Sequence, residues 1–116
     1  MAQPLSVAKT VTVADGASLS DAAFTEYLEL CGVITDSGWN TAALTFQGSH
    51  DGTNYFNIWN GASELSYAAV VASTWVAFDP ALFLGIPYIK VRSGTSASAV
   101  NQTGDSVVTL VLRQVV

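Results

Sequence analysis

The run Leu44-Thr45-Phe46-Gln47-Gly48-Ser49 alternates between apolar and polar residues, breaks at His50-Asp51-Gly52-Thr53, and resumes at Tyr55-Phe56-Asn57-Ile58-Trp59. A two-residue period places alternate side chains on opposite faces of a strand, with Leu44 and Phe46 inward and Thr45, Gln47 and Ser49 outward. Asp-Gly between two such runs is a hairpin signal, because the tight turn needs residues that tolerate positive φ. The return strand sets Phe56 and Ile58 on one face and Tyr55, Asn57 and Trp59 on the other. A hairpin of this kind commits the chain to antiparallel β-structure.

The same reading extends in both directions. Upstream, Val7, Lys9, Val11 and Val13 share one side of a strand that ends at Asp15-Gly16. Downstream, strands are expected at Leu65 to Val71, Trp75 to Phe78, Tyr88 to Ser93 and Val107 to Arg113, the last with Val108, Leu110 and Leu112 on the core side. Asp79-Pro80-Ala81-Leu82-Phe83 has the signature of one helical turn, with Asp79 as cap, Pro80 at the first position and Gly85 beyond the end. Gly94 to Gly104 reads as a polar loop. Ser20 to Cys31 stays open: Phe24, Tyr27, Leu28 and Cys31 have helical spacing, while Leu28, Leu30 and the pair Val33-Ile34 favour a strand. The pattern is that of an all-β, antiparallel β-sandwich or jelly roll of about seven to nine short strands with one short helical turn. Parallel alternatives need helical crossovers for which the chain has no room. One domain over 7–116 is expected, preceded by an N-terminal arm over 1–6 in which Pro4 disfavours helix.

Composition narrows the function. Of the 116 residues, 50% are hydrophobic and only 11% charged, which argues for a packed core and against disorder. The surface left over is rich in Ser, Thr, Asn, Gln and Ala, of the kind that a partner or further copies of the same chain would cover. The net charge is −5, and Lys9, Lys90, Arg92 and Arg113 are the only cations, too few for a phosphate track. No nucleic acid is therefore expected as partner. No membrane is expected either, since no apolar run approaches the ~20 residues of a span. The start Met-Ala-Gln-Pro-Leu-Ser lacks a signal-peptide pattern, so a cytosolic origin is expected.

Catalytic chemistry needs titratable groups gathered in one place. His50, the sole histidine, falls in a turn; Cys31, the sole cysteine, falls in an apolar run and is expected to be buried and inert. Asp15, Asp21, Asp36, Asp51 and Asp105 are dispersed and each sits near a turn, where Asp bonds its own backbone. A structural calcium assembled from separate loops is the alternative. No phosphate loop, dinucleotide fingerprint or nucleophile elbow is present. The expectation is a protein that is not an enzyme, with no catalytic, cofactor-binding or metal-binding residues and no cofactor. The suggestive residues are aromatic. Tyr55 and Trp59, with Asn57 between them, form a candidate interface, the alternative being that they pack under a loop or terminus. Gln3, Pro4 and Leu5 of the arm are candidates to lie across a neighbour. Trp39 and Trp75, with apolar neighbours, are assigned to the core.

Several segments in order carry a resemblance. They are Gly16-Ala17-Ser18-Leu19-Ser20-Asp21-Ala22, Trp39 with Ala43-Leu44-Thr45-Phe46-Gln47, and Ser49-His50-Asp51-Gly52, followed by Asp79-Pro80-Ala81-Leu82-Phe83, Tyr88 to Thr95 and Leu110-Val111-Leu112-Arg113. Together they resemble small structural proteins of tailed-bacteriophage virions. The resemblance implies a β-sandwich capsid decoration (cement) protein. Such a protein is made in the host bacterial cytoplasm, sits on the capsid surface, binds the major capsid protein lattice and forms a homo-oligomer, a trimer being favoured. A tail, baseplate or fibre-associated protein is the alternative it leaves. The hairpin at 44–59 and Tyr88-Ile89-Lys90-Val91-Arg92 are also similar to discoidin-type carbohydrate-binding sandwiches, a likeness of fold alone.

Overall fold

The computed structural model describes residues 6–114. Eleven strands follow in order: β1 Ser6–Val13, β2 Ala23–Phe24, β3 Glu29–Thr35, β4 Ala42–Ser49, β5 Phe56–Asn57, β6 Trp59–Asn60, β7 Ser63–Glu64, β8 Tyr67–Val70, β9 Trp75–Ala77, β10 Tyr88–Ser93 and β11 Ser106–Arg113. Between β9 and β10, Pro80–Phe83 forms a 3-10 turn whose first free N–H groups meet the cap Asp79, which accepts from the Ala81 N–H at 3.0 Å. All pairing is antiparallel. One sheet has the order β1-β11-β3-β9; the other has β2-β10-β4, with β5 and β8 both on the far side of β4. First strand thus pairs with last, β2 with β10, β3 with β9 and β4 with β8: a long hairpin rolled up so that its two arms alternate between sheets. That is a jelly roll, with β5 to β7 at the hairpin's tip. The sequence expectation of an all-β sandwich or jelly roll holds. The strand count is higher because β2, β6 and β7, each two residues long, form separate pieces.

Alternation decides which side of each strand is buried. Val11, Val13, Val108, Leu110 and Leu112 from one sheet meet Leu44, Phe46, Ile89 and Val91 from the other, all with at most 1% of their surface exposed. Phe46 anchors one end of this core, with the rings of Phe83, Phe78 and Tyr67 edge-on at 5.0, 5.6 and 6.5 Å, the geometry that ring quadrupoles favour. Trp39 is buried as expected, its indole N–H donating to the Val70 carbonyl at 3.1 Å.

One open choice is resolved, and three local expectations are corrected. Residues 20–31 form no helix: β2 and β3 are strands, joined by Glu26 and Tyr27 with φ of 53° and 65°. Two consecutive left-handed residues cannot belong to a right-handed helix. Trp75 is not core but 61% exposed, because on β9 it is Val76, between Trp75 and Ala77, that packs against the core. Phe56 and Ile58, expected to share one face of a single strand, part company: Ile58 packs against the core and Phe56 is 63% exposed. The chain does not continue as one strand through Ile58, whose N–H donates to Phe46 and whose carbonyl accepts from Leu65. Cys31 is half-buried rather than buried; its thiol reaches the Val111 carbonyl at 3.3 Å where the β3–β11 register shifts.

Candidate functional site

The hairpin tip that held the sole histidine is a self-contained turn. Asp51 Oδ1 accepts from the Thr53 and Asn54 N–H groups, both at 2.8 Å, and from Ser49 Oγ at 2.9 Å; Oδ2 accepts from Asn54 Nδ2 at 2.9 Å. Gly52, at φ 79°, lies flat against the Tyr88 ring, where a Cβ would come within 3.1 Å. Ser49, Asp51 and Gly52 therefore fold the turn, and His50 beside them is exposed. Among the described residues no three His, Cys, Asp or Glu side chains are grouped to hold a metal ion.

The N–H of Asn54, then that of Thr53, and then the Asn54 and Ser49 side chains hold the Asp51 carboxyl well below the ordinary carboxylate range. A depressed folded-state pKa stabilises the fold above the unfolded value of about 3.9, and the benefit fades as pH falls below it. Asp51→Ala is therefore expected to be most damaging near pH 5 and progressively less so toward pH 2. Urea unfolding of both proteins across that range checks it; a gap that stays constant with pH would show that the turn does not depend on the charged carboxylate.

The sequence-derived interface residues separate. Gln3, Pro4 and Leu5 lie outside the described residues. Tyr55 is half-buried, its ring 4.3 Å from Lys90 Nζ in a cation–π contact, and burial raises its phenol pKa, helped by Tyr88 and Asp51. Asn57 Oδ1 accepts from Arg92 Nη2 at 2.8 Å and from Gln47 Nε2 at 3.3 Å. Arg92 continues to Glu64 at 3.2 Å, and Glu64 in turn accepts from the Ser96 N–H at 3.0 Å. Tyr55 and Asn57 thus belong to a network that lays the β5–β7 hairpin tip over the outer face of the β2-β10-β4 sheet. Asn57 is exposed but bonded within this network, whereas Trp59 is 57% exposed.

Two exposed apolar surfaces escaped the sequence reading. At one end of the sandwich, a groove of about 310 Å³ runs between Tyr27, Leu28, Phe83, Leu84 and Pro87. It adjoins a hollow of about 200 Å³ bordered by His50, Phe56 and Ile58, the two sharing Gly85 and Ile86 as a common wall. Tyr27, held out by its left-handed backbone, is 87% exposed there, with Leu84 at 59%. The second surface is the outer face of the β1-β11-β3-β9 sheet. Its register aligns Thr10, Thr109, Ile34 and Trp75 in one row across the four strands. Ala8, Val111, Gly32 and Ala77 form the next. Neither row contains a charge. The only signal in the sequence was Trp75 itself, misread because the residues that follow it, Val76, Ala77 and Phe78, are all apolar.

The described residues thus define a jelly roll with exposed apolar surfaces. A solved structure, that of the SPBc2 prophage-derived protein YomS, is similar in fold over 98% of this chain and 99% of that chain, with a TM-score of 0.57 and 12% identity. No protein-family model matches the sequence, and no curated protein is similar to it in sequence.

Proposed function

We propose that this chain is a non-enzymatic structural protein of a tailed-bacteriophage particle, acting as a capsid decoration protein that binds the outer surface of the major capsid protein lattice and stabilises the head. The observation that carries the reading is the end-to-end likeness to a prophage-derived protein of the same extent, which agrees with the family resemblance in the sequence. The exposed rings of Trp59, Tyr27 and Phe56 add to it, since Trp and Tyr supply most of the strong contacts in protein interfaces. A sugar-binding role is the less favoured reading, because Tyr55 packs on Lys90 and Asn57 bonds Arg92 within the fold.

A protein that binds assembled shell and not its parts stabilises the shell by mass action. Particles made without the chain are expected to assemble but to release DNA at lower temperature, with purified protein restoring the original value. Trp59→Ala protein should bind such particles roughly 30-fold more weakly, the equivalent of about 2 kcal/mol for loss of a central ring. Unchanged thermal release, together with protein found only on tails by particle imaging, would replace decoration with a tail or baseplate role.

A further inference from the structure

β6 and β7 form a two-stranded ribbon of their own, closed by the pairs Trp59 with Glu64 and Asn60 with Ser63. A ribbon this short is only marginally stable by itself. Its turn opens on Gly61, whose φ of 69° is the positive value that a two-residue hairpin asks of its first turn residue. The turn thereby sets the sole Asn-Gly step of the chain at an exposed position. That step has a chemistry of its own. The backbone nitrogen after an asparagine can close a five-membered ring on the side-chain amide carbon, and glycine has no Cβ to obstruct the closure. A Cβ built on Gly61 would meet nothing within 4 Å, so no neighbouring group screens the site either.

The other asparagines are held. Asn40 Oδ1 accepts from the Thr103 N–H at 2.8 Å, and Asn54 Nδ2 donates to Asp51 at 2.9 Å. Asn57 Oδ1 accepts from Arg92 at 2.8 Å, and the nitrogen after it, that of Ile58, donates to the Phe46 carbonyl at 3.2 Å. The nitrogen after Asn101, that of Gln102, donates to the Ala17 carbonyl at 2.9 Å. Asp-Gly steps close the same ring, and both of those present are tied as well. Asp51 is ionised and held by four bonds, and a carboxylate is a poor electrophile. Asp15 Oδ1 accepts from the Gly104 N–H, and the Gly16 N–H donates to the Gln102 carbonyl, both at 2.8 Å. Asn60 stands apart: among the described residues, neither its side chain nor the Gly61 N–H has a hydrogen-bond partner.

We propose that Asn60 is a spontaneous modification site, which ages by deamidation to an isoaspartyl residue and so loosens the β6–β7 tip. The Gly61 nitrogen loses its proton to solvent base and bonds to Asn60 Cγ. The Cγ–Nδ2 bond breaks, and Nδ2 leaves as ammonia with a proton returned from solvent. The succinimide that remains takes up one water. Opening between Cγ and the Gly61 nitrogen yields aspartate; opening between the Asn60 carbonyl carbon and that nitrogen yields isoaspartate, whose main chain runs through Cγ. Water is the only co-reactant. Either product adds a negative charge beside Trp59, and isoaspartate also inserts a methylene into the backbone at the pair that closes the ribbon. Glu64 lies just beyond on β7, where it accepts from the Ser96 N–H at 3.0 Å and pairs with Arg92 at 3.2 Å. A lengthened turn therefore disturbs the contacts that hold the tip on the sheet. The site belongs to the isolated chain and stands apart from the virion reading.

The test is to age the folded full chain in warm, mildly alkaline buffer and map its peptides by mass spectrometry, with synthetic aspartyl and isoaspartyl peptides as chromatographic standards. Asn60 is expected to convert roughly tenfold or more faster than any other asparagine, with isoaspartate as the major product. Its rate in the folded chain should lie within about tenfold of that in the guanidinium-unfolded chain, because the ribbon opens locally. Asn60→Gln, whose longer side chain must close a six-membered ring, should stop the more acidic species from accumulating while melting stays as in the wild type. In the isoaspartyl form, separated by ion exchange, the Ser96 N–H should exchange with deuterium faster than in fresh protein. Conversion of Asn60 no faster than that of the other asparagines, or slower than the stated margin relative to the unfolded chain, overturns the site. Unchanged exchange at Ser96 overturns the loosening of the tip.

Discussion

Replacing Gln102 by leucine is expected to destabilise the domain by roughly 3–5 kcal/mol, although the two side chains are close in size. Gln102 is 1% exposed and uses both ends of its amide. Oε1 accepts from the Asn40 N–H at 2.6 Å and from Ser106 Oγ at 3.2 Å; Nε2 donates to the Asn40 carbonyl at 3.0 Å and to Ser93 Oγ at 2.8 Å. The amide thereby ties the 94–104 loop to the turn before β4 and to the ends of β10 and β11. Leucine would fill the space and leave these partners facing hydrocarbon, at about 1–3 kcal/mol for each that cannot find water. Against a typical total of about 5–15 kcal/mol, this is a large fraction. Urea unfolding measures it, and a loss below about 1 kcal/mol would mean that the neighbours rearrange to satisfy one another.

Nothing in the sequence marked Gln102. It stands in a stretch rich in Ser, Thr and Asn that reads as solvated loop, and a lone polar residue has no periodic neighbours to show which way it points. Legibility elsewhere follows the same logic. β1, β4, β10 and β11 were readable because each alternates with its main aliphatic or aromatic core residues at one parity, Val11 and Val13, Leu44 and Phe46, Ile89 and Val91, and Val108, Leu110 and Leu112, and these four strands supply most of the core. Where both parities are apolar, as at Trp75-Val76-Ala77-Phe78, burial could fall either way, and the short edge strand turned the tryptophan outward. At Tyr55 to Trp59 the alternation was real but not continuous in space, since β5 pairs with β4 while β6 pairs with β7. At 20–31 the helical spacing of Phe24, Tyr27, Leu28 and Cys31 was coincidental, and left-handed φ at Glu26 and Tyr27 is a conformation with no side-chain signature in those residue types.

The consequence for the candidate surfaces is direct. Sequence reasoning looked for an interface where aromatics clustered in one strand, and found Tyr55, Asn57 and Trp59. Folding spent two of these on anchoring the hairpin tip to Lys90 and Arg92. It exposed instead Trp75, Phe56 and Tyr27, whose neighbours along the chain give no hint of exposure. An uncharged sheet face is likewise invisible until register is known, because its rows draw on residues up to about a hundred positions apart, such as Ala8 and Val111.

Gly94→Ala should be comparably severe, at about 2–5 kcal/mol, and for a reason separable from ordinary glycine conformational preference. Gly94 has φ of 89°, a conformation that costs an alanine about 1–2 kcal/mol. The larger effect is steric. A Cβ there would lie 2.5 Å from the Ser98 carbonyl oxygen and 2.6 Å from the Val100 nitrogen, both backbone atoms with no rotamer to escape into. The residue is also fixed on its other sides, its N–H donating to Ala43 at 2.6 Å and its carbonyl accepting from Thr45 Oγ1 at 2.8 Å. Relief must come from moving 95–100 outward, which pulls the Ser96 N–H from Glu64 and loosens the buried Arg92–Glu64 pair. Overpacking of this kind adds about 1–3 kcal/mol. Gly104 provides the internal comparison: its φ is 78°, but a Cβ there meets nothing within 4 Å. Gly104→Ala should therefore lose only the conformational part, about 1–2 kcal/mol. Urea midpoints measured side by side give the difference. Equal losses at the two positions would show that the 95–100 loop yields freely and that the Arg92–Glu64 pair does not depend on its position.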